Sequence, residues 1–449
     1  MPLSPSNHSR PCVFGITTDA CFQGIIKHRS YSLQLSQMLL ISLFFCVSLC
    51  STLHAQKSTI SSDDSTETSF TISDSAEDLG FDLKKLSLVD ASFSKHLKSG
   101  KMIGGSALVL KGGQEIAYGQ WGYQNQRRSK PIQRDTIFRI YSMSKPITSI
   151  AAMQLVERGD LLLDAPVTQY IPEFKDLVVR DEESTDGVSP LNRPMTIRDL
   201  MRHTSGLTYG FFGNTPVDQA YRQQGILVTD PNLEITVKKL SNIPLLHQPG
   251  ETFHYSVSTD VLGRVIEVVS KMNFDDYLRK NIFEPLKMKD TFFSIPEEKL
   301  DRFSLLYTAK PGNKLKPASH IKSARYYDSN NSYFSGGGGL CSTLDDYSNF
   351  CEMLLNRGSH DGVEIIKAQT IDQIFSNQLE TLPNQRQFKF GLGFRIFPQG
   401  DYGWGGAAGT RFWVNPEKNL TIIFMTQIMP YGNRNLGESL RAKVYDAMQ

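Results

Sequence analysis

Residues 138–149 have the sequence FRIYSMSKPITS, and a helix is predicted to follow at Ile147–Glu157. Ser142 and Lys145 stand three residues apart at the start of that helix, a spacing that places both side chains on one face. A serine hydroxyl is a weak nucleophile until a base takes its proton. An amine can be that base where burial or nearby positive charge disfavours its protonated form. We therefore expect Ser142 to be a nucleophile and Lys145 its base.

The spacing alone is weak evidence, because Ser-x-x-Lys arises by chance in many chains. In the competing interpretation Ser142 caps the helix and Lys145 lies on a solvated face. Ser144 is the nearest rival nucleophile, but Ile147 stands where its lysine would be. The chemical interpretation therefore needs support from other parts of the chain.

Residues 254–263, HYSVSTDVLG, predict an aromatic loop that opens a second helix. Tyr255 could shuttle the Ser142 proton as a phenolate, a form that a neighbouring ammonium stabilises; its competing role is packing. No acidic partner can be assigned to His203, so we expect that residue to be structural. His254 adjoins Tyr255 and is expected to point away from the site.

Residues 402–410, YGWGGAAGT, combine aromatic and small side chains. Small residues allow a strand backbone to approach a ligand closely. The backbone N–H groups of Ser142 and Ala407 could then form an oxyanion hole. Substrate contacts are predicted for four residues of these segments, with core packing as the alternative for the two aromatic ones: Tyr141, Trp404, Gly405 and Gly406.

Three motifs occur in order along the chain: Ser-Met-Ser-Lys at 142–145, Tyr-Ser-Val at 255–257 and Trp-Gly-Gly at 404–406. Together they resemble the serine β-lactamase-related superfamily, which holds class C β-lactamases, DD-peptidases and family VIII carboxylesterases. Supporting stretches are LMRHTSGL at 200–207 and GGLCST at 338–343. The resemblance extends over about residues 80–445.

The resemblance implies a β-lactamase/DD-peptidase-like fold, with helices on both faces of a sheet and a helical subdomain beside it. The site would lie between the two parts. It also implies acyl transfer through a serine ester, without a metal or cofactor. The partner would be a small-molecule ester or related acyl substrate.

Two positions depart from the β-lactamase pattern. Val257 stands where the second motif usually has Asn, and Trp404 stands where the third usually has Lys. The second change removes a cation that would hold a substrate carboxylate, although Arg411 could substitute. Both departures favour the esterase branch, and an uncharged, apolar site suits a neutral ester with a short acyl chain.

Strand patterns occur at both ends of this chain and helix patterns between them, which predicts an α/β (α+β) fold with one antiparallel sheet built from both ends. The strands are predicted at 104–110, 115–122, 388–396, 410–414 and 420–427. The helices are predicted at 82–98, 147–157, 258–270, 274–282 and 436–448.

Composition narrows the function classes. The chain has 449 residues, 48 Lys and Arg against 46 Asp and Glu, and no long block of like charge, so nothing points to nucleic acid as a partner. The sequence holds no GxSxG, HExxH, P-loop or GxGxxG motif. Gly336–Gly339 lacks the Lys-Ser/Thr of a phosphate cradle and predicts a tight turn or close backbone packing.

The amino-terminal region predicts targeting. Met38–Cys50 is an almost uninterrupted apolar run, shorter than the roughly 18 residues that a membrane span needs. It fits a signal peptide cleaved near Ala55, with a membrane anchor as the alternative, so no stable membrane span is expected. Residues 1–55 would then be the targeting region, 56–78 a disordered Ser/Thr/Asp-rich linker, and 79–449 the catalytic domain.

Export would place the mature protein in the periplasm or outside the cell. Of the six cysteines, cleavage would leave only Cys341 and Cys351. We expect both to be buried thiols, and a disulfide between them stays open in an oxidising compartment.

The favoured function is therefore an exported serine hydrolase that cleaves an ester through an acyl-enzyme on Ser142. The alternative keeps the chemistry but acts on β-lactams or on cell-wall and D-amino-acid peptides. A third hypothesis is a non-catalytic binding or sensor protein of the same fold.

Overall fold

The structure is a computed structural model, and it describes residues 68–309, 314–319, 324–382, 388–430 and 435–449. The strands in these ranges are β1 Thr68–Ile72, β2 Gly104–Lys111, β3 Gln114–Gly122, β4 Phe138–Arg139, β5 Val178–Arg180, β6 Val188–Pro190, β7 Tyr307–Ala309, β8 Leu315–Pro317, β9 Cys341–Ser342, β10 Ser359–His360, β11 Val363–Glu364, β12 Lys389–Phe390, β13 Arg395–Ile396, β14 Tyr402–Gly405, β15 Arg411–Asn415 and β16 Leu420–Thr426.

The helices in the same ranges are α1 Leu83–Lys98, α2 Ser144–Glu157, α3 Ile197–Met201, α4 Pro216–Gln223, α5 Leu233–Leu240, α6 Ser258–Ser270, α7 Phe274–Leu278, α8 Leu344–Leu355, α9 Ala368–Phe375 and α10 Leu436–Ala447. None of these described helices is long and apolar enough to cross a bilayer.

An eight-stranded antiparallel sheet joins the two ends of the chain, in the order β1-β3-β2-β16-β15-β14-β13-β12. The predicted hairpin is β2–β3, and β2 pairs with β16 from Gly105 opposite Thr426 to Lys111 opposite Leu420. Every residue of β16 is buried, as expected of a strand covered on both faces. The sequence-based prediction of one sheet from both chain ends is confirmed.

Helices cover both faces of this sheet. α1 and α10 lie on one face over a core that includes Phe93, Trp121 and Phe424. The Trp121 indole N–H donates to Asp90 Oδ1 of α1 at 2.8 Å, which satisfies its polar atom. α2 and α8 belong to the core on the other face, together with Phe412 and Ile423 of the sheet.

The middle of the chain forms the predicted helical part. α6 packs against α2, α3 and α5, so the helix that follows Tyr255 rests on the helix that follows Ser142. The observed α6 has the predicted bounds, 258–270. The helix predicted at 274–282 is shorter, because α7 ends at Leu278 and the chain continues as a π-helical turn over Arg279–Phe283.

Two further sequence-based predictions are wrong. The region before residue 79 is not all linker: β1 pairs with β3 from Thr68 opposite Trp121 to Ile72 opposite Ala117, and Ala76 is fully buried. The single strand predicted at 388–396 is a tight pair, β12 and β13, since Gly393 turns the chain with a φ of 89°. The predicted targeting region 1–55 and the linker up to residue 67 lie outside the described residues.

Cys341 and Cys351 are free buried thiols, as expected. Burial raises the pKa of both. They do not form a disulfide.

Candidate active site

Ser142 lies in a single 3₁₀ turn, Tyr141–Met143, that leads directly into α2. Lys145 Nζ is 3.4 Å from Ser142 Oγ, so the predicted pair is in contact. The Lys145 side chain is 1% exposed, and α2 is buried along most of its length. Tyr141 has a φ of 44°, in the left-handed region that residues other than glycine rarely occupy. Such strain often marks functional sites.

Lys145 has two further partners. Its Nζ donates to Tyr209 Oη at 2.8 Å and to the Gly337 carbonyl at 2.5 Å. Both are closer than Ser142 Oγ. Sequence reasoning missed Tyr209, although the stretch at 200–207 that supported the resemblance ends only two residues before it. The Gly336–Gly339 run proves to be close backbone packing, as predicted.

Tyr255 lies beside Ser142 and Lys145, but it makes no hydrogen bond to either of them among the described residues. Its Oη is 3.4 Å from Trp404 Nε1, and Lys145 Nζ lies 4.7 Å from the centre of its ring. The rings of Tyr209 and Tyr255 are 5.3 Å apart. Two tyrosines, not one, therefore flank the lysine.

The segment 402–410 contacts the chain just before Ser142. Thr410 Oγ1 donates to the Ile140 carbonyl at 3.3 Å. A side chain at Gly406 would place its Cβ 2.3 Å from the same oxygen, so only glycine fits there. The Ala407 N–H, like that of Ser142, donates to no backbone carbonyl within the described residues. Both amides therefore have an unused donor.

A cavity of about 990 Å³ opens in front of these groups. Ten of the residues that line it are aromatic, and the lining also includes five charged residues, so the uncharged site expected from the sequence is not observed: Asp260, Arg325, Arg395, Arg411 and Glu438. Lys145 lies behind the cavity, buried, whereas the other predicted site residues reach its surface: Tyr141, Ser142, Tyr255, Trp404, Gly405, Gly406 and Ala407.

Burial is the main cause of the pKa shifts of the site residues. It raises the pKa of Tyr209 well above its ordinary value, with the neighbouring Tyr255 and Asp260 adding to the effect. It also raises the pKa of Tyr141 to about 12. Both phenols are therefore protonated in the unliganded protein at neutral pH. Burial and the charge of Lys145 hold the pKa of His203 well below its usual range, so its imidazole is neutral.

The two histidines pack against partners other than Ser142. His203 is fully buried, and its ring packs 4.8 Å from that of Tyr255. Its Nδ1 is 3.5 Å from Ser256 Oγ. His254 instead contacts His247, at 3.3 Å between ring nitrogens, and Thr208 Oγ1 at 3.3 Å. Neither imidazole is hydrogen-bonded to Ser142 or Lys145 in the described part of the chain.

Comparison with known proteins agrees with this geometry. Over residues 89–446 the sequence matches the family model described as Beta-lactamase. The chain belongs to the beta-lactamase family. It thereby shares a fold with serine hydrolases and acyltransferases, and the predicted superfamily and fold class are confirmed.

Three proteins that are similar to this chain illustrate the range of activities in the beta-lactamase family. Esterase EstB of Burkholderia gladioli is 28% identical over 386 residues, covering 80% of this chain and 94% of that protein. An N-acetylmuramyl-L-alanine amidase of Bacillus subtilis is 26% identical over 425 residues, covering 83% and 91%. The structure of EstCE1, a hydrolase with promiscuous acyltransferase activity, superimposes with a TM-score of 0.71 at 25% identity, covering 83% of this chain and all of that one.

Proposed function

We propose that this protein is a serine hydrolase that cleaves a carboxylic ester through an acyl-enzyme on Ser142. The observation that carries the proposal is the contact between Ser142 Oγ and the buried Lys145 Nζ, 3.4 Å apart beside a cavity that Ser142 lines. Similarity to an esterase over most of the chain supports the same reaction class.

In the proposed reaction Ser142 Oγ bonds to the acyl carbon while its proton passes to Lys145, directly or through a tyrosine hydroxyl. The N–H groups of Ser142 and Ala407 receive the oxyanion. The ester C–O bond then breaks, and the departing alcohol takes the proton. Water attacks the resulting serine ester by the same route, which releases the acid and restores the hydroxyl.

Three features favour an ester over a β-lactam or a peptide. The position that would carry a carboxylate-binding lysine holds Trp404, whose ring packs 5.5 Å from that of Tyr255. Val257 is fully buried and lies outside the cavity lining. Arg411 does line the cavity, but its Nη1 donates to the Gly406 and Thr410 carbonyls at 3.1 and 2.9 Å. The amidase relative keeps peptide substrates as the competing proposal.

Transfer of the acyl group to an alcohol in place of water is the second candidate function. The cavity volume of about 990 Å³ leaves room for an acceptor beside the acyl group. EstCE1 combines both activities. Product identification with and without an added alcohol separates transfer from hydrolysis.

Export remains part of the proposal, supported by the apolar run at Met38–Cys50. Expression of the full chain, cell fractionation and sequencing of the mature amino terminus test it. A periplasmic or secreted protein that starts near Gln56 is expected. A full-length protein retained in the cytoplasm would contradict export, and one retained in the membrane fraction would favour the anchor.

Turnover of p-nitrophenyl butyrate and of nitrocefin by wild type and Ser142→Ala tests the proposed reaction. We expect ester turnover by the wild type, little lactam turnover, and near-complete loss in the variant. Appreciable lactam turnover with negligible ester turnover would favour the competing substrate class. A variant as active as wild type would contradict Ser142 as nucleophile.

A further inference from the structure

A buried carboxylate, that of Asp260, lies at the wall of the cavity near Lys145. Asp260, in the first turn of α6, is 1% exposed. Its Oδ1 accepts hydrogen bonds from Ser335 Oγ at 2.5 Å and from the Gly337 N–H at 3.2 Å. Its Oδ2 is also buried, and within the described ranges no donor reaches it. A buried polar atom without a partner needs a physical explanation.

Gly337 links this carboxylate to Lys145. The N–H of Gly337 donates to Asp260, while its carbonyl accepts from Lys145 Nζ at 2.5 Å. A Cβ built on Gly337 would lie 2.4 Å from Asp260 Oδ2 and 3.1 Å from Tyr209 Oη. The unpartnered oxygen and the tyrosine hydroxyl therefore flank the same Cα. Since Lys145 donates to that hydroxyl at 2.8 Å, all four groups form one buried cluster.

An ionised carboxylate in such a place is costly unless a positive charge compensates it. Lys145 supplies that charge. Three neighbouring groups are neutral, because burial raises the pKa of Tyr209 and of Tyr333 well above the ordinary value, with the charge of Asp260 adding to both, and burial lowers the pKa of His203. Tyr255, whose ring centre is 4.7 Å from Lys145 Nζ, and Arg325, whose Cζ is 3.8 Å from the ring centre of Tyr333, also face the cluster.

We propose that Asp260 is a positioning residue for Lys145: through Gly337 it fixes the lysine amine, and its carboxylate is the counter-charge of that amine in the buried cluster. The inference rests on the proposed function, because it concerns the base of that reaction. Burial raises the pKa of Asp260, while Lys145, Ser335 and the Gly337 N–H oppose that rise. Asp260 lines the same cavity as Ser142, but no hydrogen bond joins the two within the described residues.

The test is the pH dependence of kcat/KM for p-nitrophenyl butyrate in Asp260→Asn. Asparagine keeps an acceptor for Ser335 and Gly337 but removes the charge. The ammonium form of Lys145 then becomes less favourable, so the ascending limb should move to lower pH by roughly one unit, the size typical of a lost neighbouring charge. An unshifted limb would overturn the inference, since a carboxylate that only holds the loop predicts no shift.

Asp346→Asn is the matched control. Asp346 is also buried and also accepts from a backbone N–H, that of Asp290, and from a hydroxyl, that of Thr291. It does not line the cavity. Its substitution should leave the limb where it is, and an equal shift in both variants would overturn the assignment to Asp260.

Gly337→Ala is a second variant, needed if Asp260→Asn does not fold. Its Cβ must displace the carboxylate, so a limb shifted in the same direction is expected, and an unshifted limb would contradict the inference. Labelling of Ser142 by a fluorescent phosphonate distinguishes failure of the Asp260 inference from failure of the proposed function. A labelled, active wild type with unshifted variants refutes only the role of Asp260, whereas an unlabelled, inactive wild type refutes the proposed function and this inference together.

Discussion

Lys145 lies closer to Tyr209 and Gly337 than to Ser142, the residue whose proton it is proposed to take. Its Nζ is 2.5 Å from the Gly337 carbonyl and 2.8 Å from Tyr209 Oη, but 3.4 Å from Ser142 Oγ. Catalytic hydrogen bonds are often long in unliganded enzymes and tighten when substrate binds. The geometry therefore suits a resting state in which Tyr209 and Gly337 orient the amine toward the nucleophile.

Tyr209→Phe should lower kcat/KM for p-nitrophenyl butyrate by roughly tenfold or more. The change removes the hydroxyl that accepts from Lys145 and orients its amine toward Ser142, and a misplaced catalytic group slows the reaction. Steady-state kinetics at fixed pH measures the loss. Tyr255→Phe should lose roughly 10²-fold or more if its hydroxyl moves the proton.

Tyr402→Phe is the matched control for both variants. Tyr402, in β14, is half-buried and stacked 3.9 Å from Phe375, and it lies outside the cavity lining. It should keep near wild-type kinetics. A Tyr209→Phe enzyme as active as this control would show that the contact with Lys145 has no catalytic weight.

The sequence could predict contacts between site residues that are close to each other along the chain. Ser142 and Lys145 are one helical turn apart, so local geometry alone brings them together. Tyr209 and Asp260 reach Lys145 only because α2 and α6 pack together and the loop after α3 folds back. No local pattern specifies such contacts, and the motif at 255–257 directed attention to Tyr255 alone.

At the level of elements, α8 carries a buried carboxylate with a measurable effect. Burial raises the pKa of Asp346 to about 6. The folded state thus holds the proton more tightly than the unfolded state, so the free energy of unfolding falls as pH rises from about 4 to above 6. The effect is up to about 3 kcal/mol.

Asp346→Asn should remove this dependence, because the amide oxygen can still accept and never ionises. We expect the variant to be more stable than wild type at pH 7.5 and to differ little at pH 4. Chemical unfolding of both proteins at the two pH values measures the difference. If the two proteins differed equally in free energy of unfolding at both pH values, the raised pKa of Asp346 would be contradicted.

Strand β1 shows why the sequence placed the start of the fold too late. Its sequence, TSFTI, is half polar, and its residues alternate between exposed and partly buried because it lies at the edge of the sheet. Such a strand resembles the polar segment before it. Only pairing with β3 and the stacking of Phe70 on Trp121, 5.9 Å between ring centres, set it apart.

Removal of residues 1–78 should therefore destabilise the fold more than removal of residues 1–67. The longer deletion exposes the edge of β3 and one side of Trp121. We expect its Tm to be at least about 2 °C lower, since in large domains a loss of 1 kcal/mol lowers Tm by roughly 2–4 °C. Equal Tm values in thermal melts would instead support the predicted linker that ends at residue 78.

The molecule as a whole brings the site together by closing its two ends into one sheet. β16 fills the place between the amino-terminal hairpin and β15, so the Trp404 segment lies next to the chain that enters α2. Strand patterns at both ends of the sequence were sufficient to predict one antiparallel sheet, but not its strand order or the contact between Thr410 and Ile140. The size and aromatic lining of the cavity were not predictable, because they depend on loops between distant helices.

Covalent labelling with a fluorescent serine-reactive phosphonate tests the proposed acyl-enzyme chemistry most directly. Wild type should take up one label per chain, located at Ser142 by peptide mass spectrometry. Ser142→Ala should take up none, while Ser144→Ala, which removes a buried hydroxyl two residues away that accepts from the Leu340 N–H, should label at Ser142. Absence of label from folded wild type, or its presence on Ser144 or elsewhere, would contradict Ser142 as the nucleophile.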